Sequence, residues 1–87
     1  MMGKKFQLQI ITPLGKKVDE QVDMVIMRCI DGDWGVLAGH DKRSGVLARG
    51  DIRIINDGNE RRVSTLGGLA ENQDDLLTIL IQEAPQS

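Results

Sequence analysis

Aromatic side chains are nearly absent from this sequence: Phe6 and Trp34 are the only two, and there is no tyrosine. Two rings cannot build the stacking platform on which single-stranded nucleic acid is held. An excess of positive charge is missing as well. Eleven Lys and Arg stand against 13 Asp and Glu, for a net charge of −2, whereas nucleic-acid binding leaves a basic footprint. The one cysteine, Cys29, cannot form an internal disulfide, which fits a reducing compartment. One His and one Cys cannot supply the three or four N/S ligands of a zinc site. No run approaches the roughly 20 apolar residues of a membrane-spanning helix. The start, MMGKKFQLQIITP, has two lysines but no apolar stretch behind them, so it does not read as a secretory signal. Gly3 follows two methionines, which does not suit myristoylation. The expectation is a soluble protein that meets a membrane only through partners.

What is present is ordinary globular material. The chain is 40% apolar and 28% charged over 87 residues, so residues 1–87 are expected to form a single domain. Turn signals punctuate it at short intervals: PLG at 13–15, DGD at 31–33, Gly39, Gly45, Gly50, NDGN at 56–59, GG at 67–68 and NQDD at 72–75. Between them lie short runs rich in Val, Ile, Leu and Thr. In FQLQI, Phe6, Leu8 and Ile10 share one face and Gln7 and Gln9 the other. In DMVIMRCI both faces are largely apolar, which predicts a strand covered on both sides. Asp57-Gly58 between DIRII and RRVSTL predicts a hairpin, because both turn residues tolerate positive φ. The last run, DDLLTILIQEA, fits a helix face in part, but its β-branched Thr78, Ile79 and Ile81 favour a strand. The fold class expected is all-β, a flattened β-sandwich or barrel of about ten short, mostly antiparallel strands.

The stretch 31–50, DGDWGVLAGHDKRSGVLARG, holds half the glycines, the one Trp and the one His. Its order of residues does not make a phosphate loop, which needs Gly, four residues, then Gly-Lys-Ser/Thr. No helix pattern follows to lend an N-terminus. His40, Asp41 and Ser44 are too close in sequence to set up a triad, and no oxyanion-hole motif accompanies them. His40 reads as a turn residue bonded to nearby backbone. The glycines read as turns and close approaches. GVLA occurs twice, ten residues apart, too short a period for a structural repeat. Cys29 reads as core. Trp34 in a glycine-rich turn has two readings: folded back over the sandwich edge, or a contact residue.

Taken in order, DGDWGVLAGH, then Leu47, then GDIRI at 50–54, resembles the epsilon subunit of F-type ATP synthases. FQLQIITPLGKKV is similar to that family's first strand. STLGGLAENQDDLLTILIQEA is similar to its Gly-Gly segment and final strand. The resemblance covers about Phe6 to Ala84. It implies a flattened sandwich of about ten strands, no active site and no cofactor or metal. It implies a place at the foot of the central stalk, bound to the gamma subunit and resting on the membrane c-ring. The reducing compartment and the lack of a transit-peptide pattern point to the cytoplasmic side of a bacterial membrane as the expected location. Carried over by motif, Asp31, Gly32, Asp33 and Trp34 are expected to face the c-ring. His40, Asp41, Lys42, Arg43 and Ser44 are expected to face gamma. Two departures stand out. The family is usually Ala-Pro and apolar after the His, where this chain has Asp-Lys-Arg-Ser. The chain also stops at Ser87 without the family's C-terminal helical hairpin, so neither autoinhibition nor ATP sensing by that hairpin is expected of it. The competing readings are an independent sandwich adaptor for a peptide or small ligand, which predicts a concave pocket, and a small hydrolase using His40.

Overall fold

Strand-forming alternation is carried through into the fold. The computed structural model describes residues 4–39 and 42–83, which form eight β-strands and no helix. These are β1 (Phe6–Thr12), β2 (Gly15–Val22), β3 (Met24–Cys29), β4 (Gly32–Val36), β5 (Arg43–Leu47), β6 (Gly50–Asn56), β7 (Asn59–Gln73) and β8 (Leu76–Glu83). They hydrogen-bond in the order β2-β1-β8-β7-β5-β3-β4, with β6 bridging β3 and β7. All pairings are antiparallel except β1 with β8. The sheet folds over on itself, and its inner faces meet in one core. Phe6, Leu8, Ile10, Met27, Leu77 and Ile79 are among the largest side chains fully buried there.

The fold turns on β7. Its first part, Asn59 to Thr65, pairs β6 in one layer. Its second part, to Gln73, pairs β8 and β5 in the other. The crossing is at Thr65–Gly67, where the register with β8 slips. Gly67 takes φ +137° there, which favours glycine. The buried Thr65 hydroxyl accepts the Gly67 N–H at 2.9 Å and donates to the Gln82 carbonyl at 3.0 Å. At Gly68 the backbones come closer still. A Cβ there would lie 2.0 Å from the Leu80 carbonyl oxygen.

The described residues form eight strands where about ten were expected. The Gly67-Gly68 pair, read from sequence as a break, is the bend inside one 15-residue strand, because glycine permits a sharp corner without ending the ladder. The expectation that β3 is covered on both sides also needs correction. Val25, Met27 and Cys29 are buried, Met24 and Ile26 only partly, and Arg28 is exposed. A two-layer sandwich gives each strand one dry face. Other expectations hold. β1 buries Phe6, Leu8 and Ile10 and leaves Gln7 and Gln9 on the outer face, and the last run is a strand. The 57–58 hairpin has φ of 53° and 79° at its two turn residues.

Ion pairs hold the two layers together along one side. Lys5 Nζ donates to Asp23 at 3.1 Å and Asp57 at 2.9 Å, and also to Asn56. Asp23 accepts the Asp57 backbone N–H at 2.8 Å. That bond, with Lys5, holds the Asp23 carboxyl below its usual range. Arg61 and Glu20 pair between β7 and β2.

Candidate functional site

The β3–β4 turn projects the acidic residues singled out from sequence. Cys29 and Gly32 close the ladder, and Gly32 takes φ +124°. Asp31, Gly32 and Asp33 are all exposed. Neither carboxylate has an ion-pair or hydrogen-bond partner among the described residues, although Asp33 sits opposite Arg28 in the ladder. Asp33 shares a shallow cleft with Arg28, Arg53 and Arg62 and lies within the electrostatic reach of Arg53, so its charge is partly balanced without a direct ion pair.

Trp34 points the other way. It is 4% exposed and belongs to the core, so it folds back over the sandwich rather than reaching out. Gly45 makes room for it: a Cβ at Gly45 would lie 3.3 Å from two ring carbons and 3.5 Å from Cys29 Sγ. Arg43 stacks over the indole at 4.5 Å from the ring centroid, a cation–π contact that closes the core at this end. Lys42 and Ser44 are exposed. His40 and Asp41 lie outside the described residues. The segment that leads to them is tied down by the Gly39 N–H, which donates to Asp75 Oδ1 at 2.8 Å.

The doubled tetrapeptide GVLA ends two strands in opposite registers. In the first copy Val36 is buried and Leu37 exposed; in the second Val46 is exposed and Leu47 buried. The likeness is one of spelling, and the second copy puts Val46 on the outer surface.

That surface is the feature that reading the sequence missed. Register aligns Val46 with Leu69, Leu69 with Leu80, and Leu80 with Ile11. Ile30 joins the row, since Cys29 pairs Leu47 and the Ile30 N–H bonds the Val46 carbonyl at 3.0 Å. At strand spacings of about 4.8 Å, these five aliphatic side chains form a stripe about 19 Å long. Ile30 is 71% exposed, Leu69 55% and Leu80 47%. Beside the stripe runs a polar row, Ser44, Glu71, Thr78 and Gln9, in matching register. A shallow groove of about 440 Å³ lies where the rows meet, lined by Ser44, Gly45, Val46, Leu69, Glu71 and Leu80. One end of the stripe, at Ile30, adjoins the acidic turn. The signal in the sequence was aliphatic residues at outward positions of several strands, but only the register shows that they align.

The opposite outer face is laced with charge. Glu60 accepts two bonds from Arg53, at 2.8 and 3.1 Å, and one from Arg62 at 2.9 Å. The Arg53 guanidinium, then that of Arg62, hold its carboxyl well below the ordinary range, at about 2. Among the described residues no three His, Cys, Asp or Glu side chains gather in a way that could hold a metal ion.

Fold and surface define an all-β sandwich with one charge-laced outer face and one bearing an apolar stripe that ends at an acidic turn. The chain belongs to the family described as the ATP synthase, Delta/Epsilon chain, beta-sandwich domain, whose family model matches residues 5–87. Among curated relatives, it is 39% identical over 79 residues to a protein of Propionigenium modestum named "ATP synthase epsilon chain, sodium ion specific", covering 91% of this chain and 58% of that one. The ATP synthase epsilon chain of Bacillus subtilis is 37% identical over 81 residues, covering 93% and 61%. The chain thus spans about three-fifths of the length of the curated relatives it matches. Among solved structures, a chain of the Euglena gracilis mitochondrial ATP synthase, in an OSCP/F1/c-ring assembly, superposes with a TM-score of 0.87 at 25% identity, over 98% of this chain and 55% of that one. A chain of the Tetrahymena thermophila mitochondrial central stalk and c-ring shares the fold at a TM-score of 0.78 and 13% identity, over 95% and 67%.

Proposed function

We propose that this chain is a non-catalytic central-stalk subunit of an F-type ATP synthase. It joins the gamma subunit to the membrane c-ring, on the cytoplasmic side of a bacterial membrane, and couples ion movement to ATP chemistry performed elsewhere in the complex. Membership of the Delta/Epsilon family carries the reading. The surface supports it: the exposed aliphatic residues form a continuous row rather than being scattered singly, and the row ends beside the exposed carboxylates of Asp31 and Asp33.

In this reading the stripe and the segment 40–44 take gamma, with Lys42 and Ser44 supplying a polar rim. Arg43 and Trp34 act from beneath by holding that rim in place. Asp31, Gly32 and Asp33 face the polar loops of the c-ring. One exposed ion pair contributes only about 0–1 kcal/mol, so grip there comes from multiplicity and shape. The adaptor alternative needs a concave pocket, and the groove beside the stripe is open and shallow. The test is co-expression with the gamma subunit of the same ATP synthase, followed by native mass spectrometry. A one-to-one complex is expected; its absence at micromolar concentrations would remove the reading.

A further inference from the structure

An edge strand offers its outward N–H and C=O groups to any extended chain, and proteins blunt such edges with Lys, Pro, bulges or ion pairs. Among the described strands, three edges are unpaired along their whole length. β2 pairs only β1, the first part of β7 pairs only β6, and β4 pairs only β3. Two of them are blunted. β2 carries Lys16, Lys17, Asp19 and Glu20, with a register shift opposite it at Ile10/Ile11. The β7 edge carries Glu60, Arg61 and Arg62, and Arg61 is tied to Glu20. β4, Gly-Asp-Trp-Gly-Val, has no Lys, no Pro and no register shift. Trp34 and Val36 turn inward, and Gly35 adds no side chain outside. Only Asp33 stands on its outer face.

We propose that the free edge of β4 accepts an extended segment of a partner polypeptide as an added strand, one that sets a Lys or Arg opposite Asp33 between aliphatic neighbours. Charge selects the partner. Arg28 lies opposite Asp33 on the β3 side, and a basic residue on the open side continues the alternation Arg28–Asp33–Lys. Asp31, unpaired at the end of the strand, adds a second site for a cation. The aliphatic neighbours lie alongside Trp34 and Val36 and extend the dry face of the sandwich. Main-chain bonds supply affinity and the basic residue supplies selectivity, the division of labour of strand addition. The site does not depend on the gamma and c-ring reading, since it is a property of the isolated chain.

The probe is a nine-residue peptide of alternating valine and lysine, titrated into the full chain and followed by amide NMR and hydrogen exchange. Binding is expected with new protection confined to residues 32–36. A valine–glutamate peptide should not bind. Methylating the peptide's backbone nitrogens, which keeps its charge, should weaken binding about tenfold or more, since each lost hydrogen bond accounts for several-fold. Asp33→Lys should reverse the preference between the two peptides. Binding that survives N-methylation, that maps to the stripe or another edge, or that ignores Asp33→Lys would overturn the proposal. So would the absence of binding at millimolar peptide.

Discussion

Replacing Gly68 by Ala should meet a harder steric obstacle than an added Cβ at any other described glycine. The new Cβ would sit 2.0 Å from the Leu80 carbonyl oxygen and 3.0 Å from Ile81 Cα. Real Cβ atoms essentially never come within 3.0 Å of such neighbours, so a gap of at least 3.0 − 2.0 = 1.0 Å must open. The obstacle is backbone, which cannot swing aside as a side chain does. β8 is held on both edges, by β7 and by β1, so moving it disturbs two ladders. Ordinary overpacking costs about 1–3 kcal/mol; here we expect about 3–5 kcal/mol, near the upper end for single substitutions. A domain of this size has roughly 4–13 kcal/mol in all. The buried Trp34 is a convenient fluorescent reporter for urea unfolding. With a slope of about 1 kcal/mol per molar urea, the midpoint should fall by about 3–5 M, or the protein should not fold. Gly45→Ala is the control. Its Cβ meets the Trp34 ring at 3.3 Å, which a small ring shift relieves, so its cost should stay near 1 kcal/mol or below. If the two variants unfold at midpoints within 0.5 M of each other (an order-of-magnitude resolution for a slope of about 1), the close-approach argument for the β7 corner is wrong.

Other outcomes follow from the same structure. Leu8→Ala, fully buried between the layers, should lose about 2–5 kcal/mol by chemical denaturation. Thr65→Val keeps the shape but removes the acceptor of the Gly67 N–H, so about 1–3 kcal/mol should go with it. Glu60 titrates lower in the folded chain than its ordinary 4.5, at about 2. Its ionised form therefore favours folding above about pH 4.5, and that contribution drains away as the pH falls toward 2. Glu60→Gln should flatten the acid limb of a stability-versus-pH curve in that window; an unchanged slope there would contradict the Arg53–Glu60–Arg62 assignment. Lys42→Glu should weaken gamma association more at low salt than at high salt, as read by titration calorimetry, and equal effects would take that side chain out of the contact.

Most of the sandwich was legible in the sequence because it rests on period-two burial and on turn chemistry. The alternation in FQLQI and Asp57-Gly58 are local signals, and local signals survive without knowledge of the partner strand. The corner in β7 was not legible. Gly67-Gly68 looks the same whether a strand stops or bends, and only the bonds to β6 on one side and β8 on the other tell the two apart. DMVIMRCI looked doubly buried because Met24 and Ile26 are apolar, yet a two-layer fold has no third layer to cover them. The acidic turn was found from sequence, but the direction of Trp34 was not, since its inward turn depends on Gly45 in another strand. The stripe is the clearest case. Ile30, Val46, Leu69, Leu80 and Ile11 come from five separate segments, and nothing short of the register aligns them.

Titration calorimetry of the purified chain into the gamma subunit of its own ATP synthase tests the central claim most directly, run beside the stripe variant Leu69→Glu. Leu69 is more than half exposed, so the variant should fold with stability within about 0.5 kcal/mol of the parent. The account predicts one-to-one binding by the parent chain and a loss of about 2 kcal/mol or more, roughly thirtyfold, in the variant, as for an apolar anchor buried at an interface. No binding by the parent chain, or equal binding by the variant, would contradict it.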